Sequence, residues 1–129
     1  EVAGFMDGYF FGAEKRPEDV LGAAELAREL AAASGPKPAV LDVREASEWD
    51  QGHIAGATRI SVHEIGKRLA EVKVAKDAPV VTVCRSGKRS GWAAMFLRVA
   101  GYRDVRSLDG GMTAWEKAGL PTETGGTGR

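Results

Sequence analysis

One side chain stands apart as a candidate for chemistry: Cys84 is the only cysteine in the 129-residue chain. It opens the run Cys84-Arg85-Ser86-Gly87-Lys88-Arg89-Ser90, which sets three cations and a glycine within seven residues. A single cysteine makes no intramolecular disulfide, and neither His53 nor His63 stands at a spacing that reads as a zinc site, so no metal is expected. Two readings remain, a small apolar filler or an exposed, reactive thiol. Neighbouring cations favour the thiolate, the form that acts as nucleophile. If the loop bends at Gly87, its N–H groups converge on the sulfur as an anion-binding nest at a helix N-terminus. The same features would hold a dianionic substrate or an anionic sulfur adduct with no organic cofactor. A filler thiol is often buried, but it does not require three adjacent cations.

Asp42, Arg44, Glu48 and His53 also have types that invite catalytic roles. A thiolate activated by its surroundings needs no proton removed by a general base, so these four are expected to fix the loops that frame the pocket. His63 is read as a helix residue without assigned chemistry, and Trp115 as core.

The elements that must position Cys84 follow from periodicity and punctuation. Val80-Val81-Thr82-Val83 is β-branched throughout and runs directly into Cys84, so the cysteine ends a strand. Gly91 to Ala100 is helical in pattern, which makes the order strand, cysteine, loop, helix. Upstream, 22–33 reads as a helix with Leu26 and Leu30 on one face, stopped by Ser34-Gly35-Pro36. Ala39 to Val43 reads as a strand buried on both faces, 45–51 as a short polar helix, and 58–61 as a second short strand. Ile65, Leu69 and Val72 predict an amphipathic helix over 62–72. A strand at 105–108 and a helix at 113–118 close the pattern, with Gly110 and Gly111 allowing a tight turn between them. Alternating strands and helices predict an α/β domain with a mainly parallel sheet, in which ligands bind beyond the carboxyl ends of the strands.

Size allows one domain, which would bury about two-thirds of its unfolded surface. Residues 1–19, with Phe5, Tyr9, Phe10 and Phe11 among glycines and charges, show no useful periodicity and are expected to form an arm. The domain is expected over 20–122 and a flexible tail over 123–129. Lysine plus arginine and aspartate plus glutamate both total 18, so no global field draws the chain to nucleic acid or membrane. No apolar run approaches the ~18 residues of a membrane span. The expected compartment is the cytoplasm, or the periplasm if a signal peptide stood ahead of Glu1. No heptad or long apolar stripe marks an interface, so a monomer or weak dimer is expected.

At this point the sequence resembles the rhodanese-like family, from Val20 to Pro121. Leu41-Asp42-Val43-Arg44-Glu45, Glu48 and Gly52-His53-Ile54-Ala55-Gly56-Ala57 are similar to the family's first signature. Cys84 to Ser90 is similar to the catalytic loop of its active sulfurtransferases, and Leu108-Asp109-Gly110-Gly111-Met112-Thr113-Ala114-Trp115 to its C-terminal signature. The resemblance implies a three-layer α/β domain with a central five-stranded sheet. It also implies a thiosulfate sulfurtransferase that carries sulfane sulfur as a Cys84 persulfide. The donor would be thiosulfate, a polysulfide or a persulfide, and the acceptor cyanide, a thiol or a protein. Arg85 and Lys88 would offset the charge of thiosulfate and departing sulfite, and Arg89 would brace the loop against Asp42 or Glu48.

Two rivals are weighed on the same residues. Phosphatases and arsenate reductases of related folds place an arginine six positions after the cysteine, whereas Arg89 stands five after Cys84 and position 90 is serine. The shorter loop suits a sulfur atom better than a tetrahedral oxyanion. A docking module that has lost activity is the other rival, although inactive relatives usually lack the cysteine.

Overall fold

The computed structural model describes residues 19–125. The arm expected over 1–19 lies outside them except for Asp19, which is buried and ion-paired with Arg98 at 3.4 Å. The strands are Val20–Leu21 (β1), Ala39–Asp42 (β2), Thr58–Arg59 (β3), Pro79–Val83 (β4) and Asp104–Leu108 (β5). β2 and β4 are apolar or β-branched runs buried on both faces, whereas Thr58 of β3 is exposed. The helices are Ala23–Ala31 (α1), Ala46–Asp50 (α2), Lys88–Val99 (α3) and Gly111–Lys117 (α4). The strands form one five-stranded sheet in the order β1-β5-β4-β2-β3, parallel at every pairing. β4 is therefore central, and Cys84 leaves the middle of the sheet's carboxyl edge.

Side-chain alternation sorts the core into two layers around the sheet. Leu41, Val80, Cys84 and Val105 face Ala93, Ala94 and Leu97 of α3, where two buried alanines let the helix approach the strands closely. Val40, Val81, Val83 and Leu108 face Leu26 of α1 and Met112 and Trp115 of α4. Each large buried apolar side chain contributes about 1.5–3 kcal/mol relative to exposure. Among the described residues no helix is long and apolar enough to cross a membrane.

Three expectations differ from what is seen. The 62–72 segment is a succession of turns ending in a 3-10 turn at Leu69–Glu71, not an α-helix. Its bonds run mainly three residues back, as in Lys67 N–H to Glu64 O and Val72 N–H to Leu69 O. Gly66 at its centre carries a helix penalty of about 1 kcal/mol, and Ile65 reaches the core from a turn as well as it would from a helix. The helix expected from Gly91 begins at Lys88, because Gly87 at φ 108° caps it. Arg89 and Ser90 thus belong to the first helical turn. Lastly, Glu123, expected in the tail, exchanges two 2.9 Å backbone hydrogen bonds with His53.

Candidate active site

The chain turns at the end of β4 through Cys84-Arg85-Ser86-Gly87 into α3. Gly87 takes the left-handed conformation that a side chain would resist, and this aims its N–H at Cys84 Sγ, 3.0 Å away. The sulfur therefore sits at a helix N-terminus and accepts a backbone hydrogen bond, two features that favour an anion. Cys84 is only 1% exposed, so the expectation of an exposed thiol is corrected. Burial and reactivity are not alternatives here, because the sulfur is recessed among polar groups.

Those polar groups lie between the sheet and α3, Thr82 and Ser107 on the strands and Ser90 on the helix. Ser90 Oγ is 3.5 Å from Cys84 Sγ and 2.7 Å from Ser107 Oγ, and Thr82 Oγ1 donates to Ser90 O at 2.8 Å. Ser107 is opposite Thr82 in the β4–β5 register, and all three hydroxyl residues are buried. Sequence reasoning placed Ser90 in the site and missed Ser107. The signal was a polar residue two after Val105 on the core-facing side of β5.

The loop cations are more committed than expected. Arg85 pairs with Glu116 of α4 at 3.0 Å. Arg89 makes a two-pronged bond to Glu48, at 2.7 and 2.8 Å, which ties α2 to the first turn of α3. Of the two carboxylates expected for Arg89, Glu48 is the partner, while Asp42 is engaged by Arg44. Lys88 lines an open cleft of about 460 Å³ with Val62, His63, Arg89 and Trp92. Val62, His63 and Trp92 were not singled out for the site, since nothing local says that the 62–63 turn faces α3. Cavities of about 330 and 600 Å³ lie elsewhere, and neither is lined by the cysteine loop.

Asp42 and Arg44 form a buried pair in which Arg44 Nη2 reaches Asp42 Oδ2 at 2.8 Å and Gly52 O at 2.9 Å. Arg44 thereby fastens the end of β2 to the loop after α2. His53 is buried, stacks on Trp49 with centroids 3.4 Å apart, and shares a 3.0 Å hydrogen bond with Trp49 O. Its Nε2 lies 3.5 Å from Glu123 Oε2. None of the hydrogen bonds of these three residues reaches Cys84 or its loop.

Behind the loop, Met112 N–H donates to Cys84 O at 2.8 Å and Thr113 N–H to Arg85 O at 3.0 Å. The start of α4 is thus docked on the backbone of the cysteine loop. Gly111 makes this approach possible, because a Cβ there would stand 2.4 Å from Cys84 O.

Hydrogen bonding from Arg89 outweighs burial and, with the Glu45 N–H, pulls the Glu48 carboxyl from 4.5 down to about 2. Glu48 therefore stabilises the folded state fully above its unfolded value, and that contribution fades as pH falls from about 4.5 through 2. Glu48→Gln is expected to lower stability at pH 7 by about 1 kcal/mol after allowance for solvent screening, and to flatten the acid limb. Denaturant unfolding of both proteins across that range checks this. An unchanged acid limb would show that the pair contributes nothing.

A family model described as a rhodanese-like domain matches residues 23–118. An HTH-type transcriptional regulator of Mycobacterium tuberculosis is 39% identical over 111 residues, 84% of this chain, which spans 46% of that protein's length. Thiosulfate sulfurtransferase GlpE of Pseudoalteromonas translucida is 38% identical over 79 residues, 61% of this chain and 73% of its own. The solution structure of the rhodanese-like domain of the Alr3790 protein from Anabaena superimposes with a TM-score of 0.74 at 30% identity, covering 83% of this chain and 80% of that one.

Proposed function

The chain belongs to the rhodanese-like domain family, and from that premise we propose that it is a sulfurtransferase carrying sulfane sulfur as a persulfide on Cys84. The observation that carries this reading is the placement of Cys84 Sγ at the carboxyl edge of the sheet, held by the Gly87 N–H at 3.0 Å where α3 begins. A relative named as a thiosulfate sulfurtransferase supports the reaction class and makes thiosulfate the first donor to try.

In the donor half-reaction the Cys84 thiolate attacks the outer sulfur of thiosulfate. The S–S bond of thiosulfate breaks, sulfite leaves with the electron pair, and the protein holds Cys84–S–S⁻. In the acceptor half-reaction cyanide, a thiol or a protein nucleophile attacks the terminal sulfur, and Cys84 leaves as thiolate. Ping-pong kinetics follow. A recessed sulfur suits this chemistry, because a donor's terminal sulfur is a single projecting atom. A phosphoryl centre is shielded by its oxygens and would ask for a wider loop. Arg89 is held by Glu48, which also weakens the phosphatase reading. Lys88 and the cleft beside it are the proposed approach for donor and acceptor, while Asp42, Arg44, Glu48 and His53 brace the frame.

Intact-protein mass after brief incubation with thiosulfate tests the proposal. A gain of one sulfur, ~32 Da, removed by cyanide or a thiol, is the expected result for a persulfide carried by an activated thiolate. An adduct from polysulfide but not thiosulfate would keep the mechanism and change the donor. No adduct from any donor would sink the sulfurtransferase reading in favour of a docking module.

A further inference from the structure

We propose that Ser107, on β5, is a positioning residue that acts through Ser90 to stabilise Cys84 Sγ as a thiolate leaving group when the persulfide is discharged. This rests on the sulfur-carrier reading above and concerns one half of its cycle. The observation is a buried relay, Cys84 Sγ to Ser90 Oγ at 3.5 Å and Ser90 Oγ to Ser107 Oγ at 2.7 Å, set between β4, β5 and α3. In that layer the neighbouring Thr82 hydroxyl is already spent on Ser90 O, and the other buried neighbours are apolar. Ser90 is 0% and Ser107 3% exposed, so neither hydroxyl is supported by bulk water.

The relay has two polarities. While Cys84 carries its proton, S–H donates to Ser90. Once Sγ is anionic it has no proton to give, and Ser90 must turn its own O–H toward the sulfur. Ser90 Oγ then accepts from Ser107, whose O–H fixes that orientation and polarises it. In the persulfide the negative charge lies mainly on the terminal sulfur, so the relay has less to hold. When an acceptor's lone pair forms a bond to the terminal sulfur, the Sγ–S bond breaks and its electron pair moves onto Sγ. The anion then appears at the atom the relay faces. A better-stabilised thiolate leaves faster, yet attacks somewhat less strongly. Ser107 therefore favours discharge over loading, an asymmetry that a purely structural residue would not produce.

Two measurements on Ser107→Ala and Ser107→Thr test this. The first is iodoacetamide alkylation of Cys84 against pH, which needs no sulfur donor. The second is the single-turnover rate of persulfide discharge to cyanide, set beside the rate of loading from thiosulfate at a pH where both proteins are fully ionised. Ser107→Ala is expected to move the alkylation midpoint to higher pH and to slow discharge about three- to fivefold, the share of one hydrogen bond felt at a leaving group, with loading little changed. Ser107→Thr keeps the hydroxyl and is expected to restore both. Native behaviour of Ser107→Ala in both assays would overturn the proposal. So would equal slowing of the two half-reactions that threonine does not rescue. If the native chain takes up no sulfur from any donor, the carrier reading fails, and an alkylation midpoint unmoved by Ser107→Ala would then reject the relay separately.

Discussion

Cys84→Ser is expected to fold and to lose sulfur transfer to background, a fall of more than about a thousandfold of the kind seen when a covalent nucleophile is removed. The chain has no second cysteine to take over. A serine hydroxyl does not ionise near neutral pH even beside a helix N-terminus, and it forms no counterpart of a persulfide. The replacement is gentle in every other respect. The Gly87 N–H that meets Sγ at 3.0 Å and the Ser90 hydroxyl at 3.5 Å offer the new Oγ partners, so the hydroxyl is not buried unsatisfied. The stability change is therefore expected to stay within about 1 kcal/mol, and thermal melting beside the activity assay separates lost chemistry from lost fold. A variant that still gained a sulfur adduct removable by cyanide would place the carrier elsewhere and end the assignment.

How far the site was legible depended on whether its cause was local. β4 and the position of Cys84 could be read because a β-branched run packs on both faces and the cysteine follows it without a break. The turn into α3 was legible from Gly87, although the helix claims Lys88, Arg89 and Ser90 that spacing alone left in the loop. Glu48 could be named for Arg89 only as one of two carboxylates, because their meeting spans 41 residues of sequence. The turn of Arg85 toward Glu116, the opposition of Ser107 to Ser90 and the docking of Gly111 on Cys84 O are contacts between separate segments. A hydrophobic pattern reports which side of an element faces inward, not which distant atom waits there. The same limit explains residues 62–72. Apolar residues three and four apart place Ile65, Leu69 and Val72 toward one face, and consecutive turns satisfy that spacing without an α-helix. β1 escaped notice because two residues, Val20–Leu21, show no period, and their pairing with β5 is what makes them a strand.

Gly111→Ala is expected to damage the site nearly as much, and without touching a reactive atom. The residue has φ 58°, where an alanine already costs about 1–2 kcal/mol. Steric contact costs more: an added Cβ would stand 2.4 Å from Cys84 O and 2.6 Å from Arg85 O, and both are backbone atoms that cannot rotate away. Two relaxations are open. If α4 withdraws, the bonds from Met112 N–H to Cys84 O and from Thr113 N–H to Arg85 O are lost. If the loop yields instead, Gly87 N–H moves off Cys84 Sγ, and the sulfur loses the donor that holds it. Either route is expected to destabilise the protein by about 3–5 kcal/mol, the range of clash plus unmade buried hydrogen bonds. Sulfur transfer in the surviving folded fraction should fall about a hundredfold, because displacement of a reacting group by about 1 Å is enough for that. Gly119 supplies the control: its φ of 74° carries a similar backbone penalty, but a Cβ there would meet nothing within 4 Å. Gly119→Ala should therefore lose about 1–2 kcal/mol and keep its rate. Denaturant unfolding and single-turnover loading of the two variants side by side decide the matter. Equal effects at both glycines would mean that left-handed strain is the whole penalty and that the docking of α4 on the cysteine loop is looser than the 2.8 Å bond to Cys84 O implies.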